Sequence, residues 1–360
     1  MKITGLTKTA LILLIVSIFV TFIILAQNIL IPFVLAMFFS YLLYPVVLKF
    51  ERWGVNRAIS ILIVLLVVII FIGGIALLFS LKASNVDVSF NEVKEQFESK
   101  SLNIQNVITE KLNINASTVD HYLNQAAENL INSWQSGIGN FFAATTTTLF
   151  QIGILPVFIF FLLFYRTKTA HFILRITPND KKFVTLEILR EVSTVITKYL
   201  GGILLVVAIL AVLNSLGLLI IGIKHALVFG ILSALLNLIP YIGTFLGGFI
   251  PFMYVAFTNP HPLSAMIKVA ALFIVVQFIE NNLLTPNIVG NSIRINPLAI
   301  ILSLLLANLI WGVAGMLVVI PILATLKIIM RKIDSLKPYA FLISDRGTEK
   351  HKLKLFKRKK

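Results

Sequence analysis

The sequence predicts an all-α polytopic membrane protein, and three observations carry that prediction. Hydrophobic residues make up 58% of the chain and charged residues only 13%, where a soluble globular chain carries about 25% charged residues. Long windows contain no charge at all, and a helix needs about 20 apolar residues to cross the hydrocarbon core. The basic residues gather in the connections of one side, as they do in cytoplasmic loops of membrane proteins.

The charge-free windows run 9–48, 58–81, 129–165, 199–223, 225–267 and 295–326, with a shorter stretch at 269–279. The first is long enough for two helices turning near Gln27-Asn28, with Pro32 in the first turn of the second. The count is therefore about eight hydrophobic segments. The first could pass for a signal peptide, but no small-residue cleavage site precedes the next span.

These windows divide the chain into a three-span region (1–81), an external segment (82–138), a fourth span (139–165), a cytoplasmic loop (166–198), a C-terminal core (199–335) and a basic tail (336–360). Twenty-four of the 31 basic residues fall on one side of alternating spans, whereas 82–138 holds four Lys against seven acids. Both termini are expected in the cytoplasm and 82–138 outside.

In the external segment Phe90, Val93 and Phe97 fall at helical spacing, as do Leu123, Ala127, Leu130, Ile131 and Trp134. Short amphipathic helices are expected, either as a cap on the external mouth or as a partner-binding or gating element. In the loop, Thr177-Pro178-Asn179-Asp180 is a helix start. Leu186, Leu189, Val192, Ile196 and Tyr199 then share one face. That face suits a helix lying on the inner membrane surface before turning into the next span, or a connector packed on the bundle. Hydroxyls at Thr145–Thr148 can bond their own backbone and receive no function. The tail RGTEKHKLKLFKRKK is expected to lie against anionic headgroups. Its charge comes without a stacking platform or nucleic-acid-binding fold, so nucleic acid is not an expected partner.

Catalytic chemistry is hard to place. Walker A, HExxH, GxSxG and CxxC motifs are all missing. The chain has no cysteine, and its five histidines never fall at metal-ligand spacing. Only Glu280 puts a carboxylate within the apolar core region, which excludes a paired-aspartate intramembrane protease. The expectation is no enzyme, no cofactor and no metal, leaving a secondary transporter, a channel or a non-catalytic membrane module.

Two interruptions mark the core. The first, Asn237-Leu238-Ile239-Pro240-Tyr241-Ile242-Gly243, breaks an apolar run. Pro240 removes a backbone donor and obstructs the carbonyl four residues back, so the Leu236 carbonyl must find water, a side chain or a ligand. Gly243, Gly247 and Gly248 permit close helix approach. The break is either a tolerated kink or a binding site flanked by Asn237 and Tyr241. The second, from Gln277 to Gly290, holds Glu280, Asn281, Asn282 and Pro286. A carboxylate at bilayer depth costs about 2.5–3.5 kcal/mol on insertion scales. Lys268 lies about 18 Å away along a helix, and Arg294 reaches Glu280 only if the segment re-enters. Glu280 is thus either an interfacial residue meeting solvent or a titratable group that binds a proton or cation, with Gln277, Asn281 and Asn282 as neutral ligands. Both breaks suggest broken or re-entrant helices. A final hairpin follows, starting at Asn296-Pro297, with Gly312 and Gly315 as packing residues and Pro321 ending the helix.

Taken together, NLIPYIG (237–243) with Pro251, the IENNLLTPNIVG block with Arg294 and Pro297-Leu298, and G-x-x-G with Pro321 resemble the autoinducer-2 exporter-like permease family of bacteria. The resemblance covers most of 1–335 and implies an inner-membrane secondary transporter, homo-oligomeric and expected as a pentamer. Some family members look like exporters of a small signalling furanone, others like sodium/proton antiporters. Many carry His before the proline at 297, where this chain has Asn296, which weakens a proton relay through that position. The leading expectation is export of a small polar solute by alternating access, driven by a proton or sodium gradient. Glu280 would couple the ion, Asn237, Tyr241, Asn281 and Asn282 would line the site, and Pro240 and Pro286 would set the breaks. A monovalent cation/proton antiporter and a non-transporting scaffold or receptor are the alternatives.

Overall fold

The computed structural model describes residues 5–74, 77, 125, 153–240, 242–259, 262–290 and 294–345. Tyr241, Thr145–Thr148, the tail from 346 onward and all of 82–138 except Gln125 lie outside them. Within the described residues the regular structure is helical, apart from one isolated bridge between Ile295 and Ser344. In chain order the helices are α1 (Gly5–Leu25), α2 (Gln27–Arg52), α3 (Arg57–Gly74), α4 (Gly153–Phe164), α5 (Arg166–Ile176) and α6 (Lys182–Ile221). They continue as α7 (Ala226–Leu236), α8 (Ile242–Thr258), α9 (Pro262–Ile279), a π-helix (Glu280–Val289), α10 (Pro297–Lys332) and α11 (Lys337–Leu342).

Five of these are long and apolar enough to cross a membrane, or six if the bent pair α4–α5 counts as one span. The expected eight is met only approximately, because Thr9–Leu25, Ala226–Leu236 and Gly243–Ala256 are apolar but shorter. Along α1 and α3, Leu, Ile and Phe side chains point outward, Ile15 and Phe71 being 63% and 66% exposed. Such faces suit lipid, which is as apolar as they are, so helix association depends on close packing and internal hydrogen bonds.

The chain divides into two units. The first comprises Met1–Leu65, Gln151–Ile203 and Val289–Lys360. One of its cores joins α2, α3 and α4 through Ala36, Val47, Ile61, Val64, Ile159 and Leu163. At the polar end of that core Glu51 meets Arg166 and, at 3.6 Å, Arg57 Nε, while the Arg166 guanidinium lies over the Tyr44 ring. A second core joins α2, α6 and α10 through Phe38, Val192, Ile196, Val318 and Ile328. The stripe expected on the cytoplasmic loop therefore packs on the bundle as a connector. Moreover, α6 runs unbroken from Lys182 to Ile221, with no separate loop helix ending near Tyr199. Nothing between those residues removes a donor or demands a positive φ, and the helix simply propagates. Glu187 and Glu191 on α6 pair with Lys332 and Arg331 on α10.

The expected final hairpin is present inside α10. Trp311 leaves helical geometry, and Gly312 takes φ 58° and ψ −140°, a region open almost only to glycine. A Cβ on Gly315 would stand 2.2 Å from the Ala307 carbonyl oxygen, whereas eight residues of straight helix span about 12 Å. Residues 297–310 and 313–332 are thus two arms folded on each other. Pro321 does not end the helix as expected; it is buried inside the second arm, which continues to Lys332. Tight burial holds the ring in place, as membrane helices allow. Trp311 Nε1 donates to the Ile23 carbonyl of α1 at 3.1 Å.

The second unit comprises Leu66–Phe150 and Leu204–Ile288. Its core gathers Leu218, Phe229, Tyr254, Val255, Ala265 and Val269 from α6, α7, α8 and α9. The outer part of α6 and α7 touch backbone to backbone, since a Cβ on Gly230 would lie 2.5 Å from the Ser215 nitrogen. After α7 the chain reverses through Asn237–Pro240 and α8 returns along α7. A helix of eleven residues rises about 16 Å, so α7 alone is too short to span about 30 Å of hydrocarbon. The break expected at Pro240 is a full helical reversal, not a kink.

Candidate functional site

The reversal at Pro240 brings polar groups to the inside of an apolar unit. Pro240 lacks a donor, and the carbonyl it leaves over is taken locally: Ile239 N donates to Leu236 O at 2.9 Å. That carbonyl needs no ligand, contrary to the expectation that it would seek one. Gly243 then lies so close that a Cβ there would stand 1.6 Å from Leu236 O. One turn on, Gly247 faces Ser233 of α7, and a Cβ on Gly248 would stand 3.3 Å from the Phe273 ring of α9. The glycine pattern is therefore a packing surface on two sides of α8, as expected of small-xxx-small spacing. Ser233 Oγ lies within hydrogen-bond reach of the Phe229 and Gly247 carbonyls, and its single proton serves one at a time.

The second interruption is built differently. The α-helix stops at Ile279 and the chain continues as a π-helix through Pro286. In an α-helix that ring would strike the carbonyl of Asn282; the wider turn opens the ladder there. Side chains take up spare carbonyls, with Asn282 Nδ2 donating to Phe278 O at 2.9 Å and Asn287 Nδ2 to Leu283 O at 2.7 Å. Gly290, at φ 62°, ends the wide helix. Widened turns of this kind recur at functional sites.

Glu280 opens the π-helix and is 9% exposed. Asn237 Nδ2 donates to its Oε1 at 3.0 Å, and Gln277 Nε2 donates to its Oε2 at 2.7 Å. Thr244 Oγ1 donates in turn to Asn237 Oδ1 at 2.7 Å. Two neutral amides satisfy the buried carboxylate, with no cation paired to it among the described residues of its unit. Buried charge survives only when hydrogen-bonded in this way. Gln277 meets Glu280 from one turn away, whereas Asn237 reaches it from 43 positions away in the chain.

Other expected ligands fall elsewhere. Asn281 is exposed and only its Oδ1 is reached, by Gln277 Nε2 at 3.2 Å. Asn282 is exposed and bonded to its own helix. Arg294 belongs to the first unit, at φ 44°, where its carbonyl accepts from Lys327 Nζ and from Asp345 N. Next to it Asn296 caps α10, accepting from Ala299 N at 2.7 Å while donating through Nδ2 to Leu342 O. Both ends of that amide are structural, and Pro297 follows as the first helical residue.

Three residues of the site were not anticipated from sequence: Asn214, Ser233 and Thr244. With Asn237 and Gln277 they border a cavity of about 20 Å³, whose apolar lining comes from Leu210, Phe273 and Val276. Asn214 is 4% exposed, and its Oδ1 has no partner within the protein. One signal for it existed: an amide in the charge-free window 199–223 is costly unless it faces something polar. Among the described residues, no three His, Cys, Asp or Glu side chains gather into a metal site.

The family model described as AI-2E family transporter matches residues 11–335. YueF of Bacillus subtilis (strain 168), which carries the provisional name of a transport protein, is 27% identical over 86% of this chain and 85% of its own. YhhT of Escherichia coli (strain K12), also provisionally named for transport, is 26% identical over 85% of each. The AI-2 transport protein TqsA of the same strain is 24% identical over 90% of this chain and 92% of its own. With a match over nearly its whole length and several membrane-length helices, the chain is a multi-pass membrane protein that belongs to the AI-2E family of transporters.

Proposed function

We propose that this protein is a secondary transporter exporting a small polar solute of the autoinducer-2 kind across a bacterial inner membrane by alternating access, with Glu280 as the ion-coupling carboxylate. One observation carries the reading: a buried carboxylate ties the turn of the α7–α8 reversal to the end of α9 through two amide N–H groups. Ionised, it accepts from both. Protonated, it gives up an acceptor, and the amide left facing it must find another partner. The charge state of one group thus biases one polar tie between the reversal and α9, and coupling an ion gradient to a helix movement needs such a bias. The name of TqsA supports the solute class. The basic residues support cytoplasmic termini, and the family resemblance supports a homo-oligomer, with a pentamer as the assembly to test.

The test is flux in sealed vesicles of the full chain under an imposed proton or sodium gradient, with an autoinducer-2-like furanone as probe. Glu280→Gln is expected to lower gradient-driven flux at least about tenfold, a loss of roughly 1.4 kcal/mol of transition-state stabilisation. Undiminished flux with its gradient dependence intact would remove Glu280 from the mechanism. The small cavity bordered by Asn214, Ser233, Asn237, Thr244 and Gln277 favours a second reading, monovalent cation/proton antiport. Proton release on adding sodium in the absence of solute separates the two.

A further inference from the structure

We infer that α5 and the turn behind it form a binding surface for anionic lipid. Phe172 and Ile176 enter the outer acyl region of one leaflet, while Lys168, Arg175, Lys181 and Lys182 hold headgroup phosphates. The inference concerns contact with the membrane and stands whether or not Glu280 couples an ion.

The end of α4 fixes the level of the membrane boundary. Ile154, Val157, Phe161 and Tyr165 are exposed at three- and four-residue spacing, which makes one outward apolar stripe. The stripe ends on a tyrosine, a residue type that gathers with tryptophan at headgroup level. Lys168 Nζ stands 5.8 Å from the centre of that ring. Arg166, next in the chain, pairs with Glu51, and close to Glu51 the exposed Trp53 ring carries Lys49 Nζ at 5.5 Å. Two ring–ammonium pairs thus flank one ion pair in sequence, as a headgroup belt requires.

At that level α5 leaves α4 at 60° and buries none of its own side chains. It is a poor continuation of the span, because Arg166, Lys168, His171 and Arg175 follow one another closely and charge inside hydrocarbon is costly. Its outward edge does not suit water either, Phe172 being 61% and Ile176 66% exposed. Lys168, Phe172, Arg175 and Ile176 recur at i, i+4, i+7 and i+8, so two cations and two apolar groups share one edge. That is the pattern of a helix lying in the interface, where long stems run along the acyl boundary and the charges reach the headgroups. Charge selects the lipid. Residues 166–183 carry five Lys and Arg against one acid, Asp180. Arg166 is committed to Glu51, whereas Lys168, Arg175, Lys181 and Lys182 pair with no carboxylate among the described residues. Lys181 and Lys182 stand beside the exposed Phe183, repeating the combination of cation and apolar ring. A soluble acidic partner would match the charge but not an apolar edge that continues the lipid-facing stripe of α4.

The chain has no cysteine, so Ile176→Cys in the full chain gives a single attachment point for a bimane fluorophore. Thr167→Cys, on the side of His171, gives the control. Each labelled protein is reconstituted in vesicles of equal phosphatidylglycerol and phosphatidylcholine, with bromine on the acyl chains of one lipid at a time. Emission at Ile176→Cys should be quenched about twofold or more strongly by brominated phosphatidylglycerol than by brominated phosphatidylcholine. The preference should fade in high salt and in K168Q/R175Q/K181Q/K182Q, and the control should be quenched weakly. No quenching by either lipid overturns the inference and leaves α5 in water or against another copy of the chain. Equal quenching by both lipids overturns the recognition of anionic headgroups. A preference unchanged in the fourfold variant overturns it too, and quenching of the control as strong as at Ile176→Cys overturns the assigned edge. Where the fourfold variant does not fold, K181Q/K182Q and the salt series on the unaltered cations decide: a preference insensitive to both overturns the inference.

Discussion

Two helical reversals in this chain use the same backbone device to different ends. In the α7–α8 reversal, Gly243 lies against the Leu236 carbonyl; in α10, Gly315 lies against the Ala307 carbonyl. Each needs a residue without Cβ, because the returning arm approaches backbone to backbone. The turns differ. The first spends Asn237–Pro240 on the reversal and turns Asn237 toward Thr244 and Glu280. The second reverses at Trp311-Gly312 on a positive φ and ties itself to α1 by an indole hydrogen bond. One interior carries polar side chains that border a cavity; the other sets Gly315 against the Ala307 backbone. Reversal alone therefore does not make a site. The site arises where a reversal carries amides and hydroxyls that must be satisfied in an apolar surrounding.

The sharpest way to break this comparison is to add a methyl group to each reversal. Gly243→Ala puts a Cβ 1.6 Å from a backbone oxygen and Gly315→Ala puts one at 2.2 Å. Overpacking costs about 1–3 kcal/mol and occasionally more, and both variants should reach or exceed the top of that range, Gly243→Ala the more so. If either variant unfolds with the unaltered midpoint, its close approach is not present in the native protein. Glu280→Leu comes next. It strands the amide N–H groups of Asn237 and Gln277, at about 1–3 kcal/mol for a buried group left unmatched, while Glu280→Gln retains one acceptor and should cost less. No corresponding pair exists in the α10 reversal, so a Glu280→Leu variant as stable as Glu280→Gln would erase the distinction between the two interiors.

Gly312→Ala isolates the backbone contribution, since its Cβ would meet nothing within 4 Å. Its backbone conformation alone should cost about 1–3 kcal/mol, read as a lower unfolding midpoint, and gradient-driven flux per folded molecule should be retained. The smallest effect lies beyond the α10 reversal, at Asp334. The hydrogen bond and charge of Lys337 hold its carboxyl below the ordinary range. A depressed carboxyl contributes stability above its unfolded pKa and loses it as pH falls through the folded one. The group is fully exposed, so Asp334→Asn should leave the midpoint unchanged within error at neutral pH and in acid. A resolvable difference between the two would reveal a tighter pairing than this geometry provides.

Much of this was legible in the residues themselves. Apolar window length specified a helical membrane protein, and Asn296-Pro297 marked the start of α10. Gln277 and Glu280 lie three apart on one helical turn, so their contact is local. Prolines were less informative. Pro240 accompanies a reversal, Pro286 sits in a widened helix and Pro321 passes unnoticed through a buried arm. The ring dictates only a missing donor and a clash; the surroundings decide whether the helix stops, widens or tolerates it.

Sequence by itself thus determined the class, the faces of individual helices and the isolation of one acid in an apolar core. Tertiary structure alone decided that Asn237 reaches Glu280 and that Asn214, Ser233 and Thr244 enclose the same cavity. It also decided that α6 continues as one helix from Lys182 to Ile221. The physical reason is range. Helical periodicity says which residues share a face, but which faces meet is set by contacts such as Gly230 on Ser215 and Gly247 on Ser233, whose partners are remote in the chain.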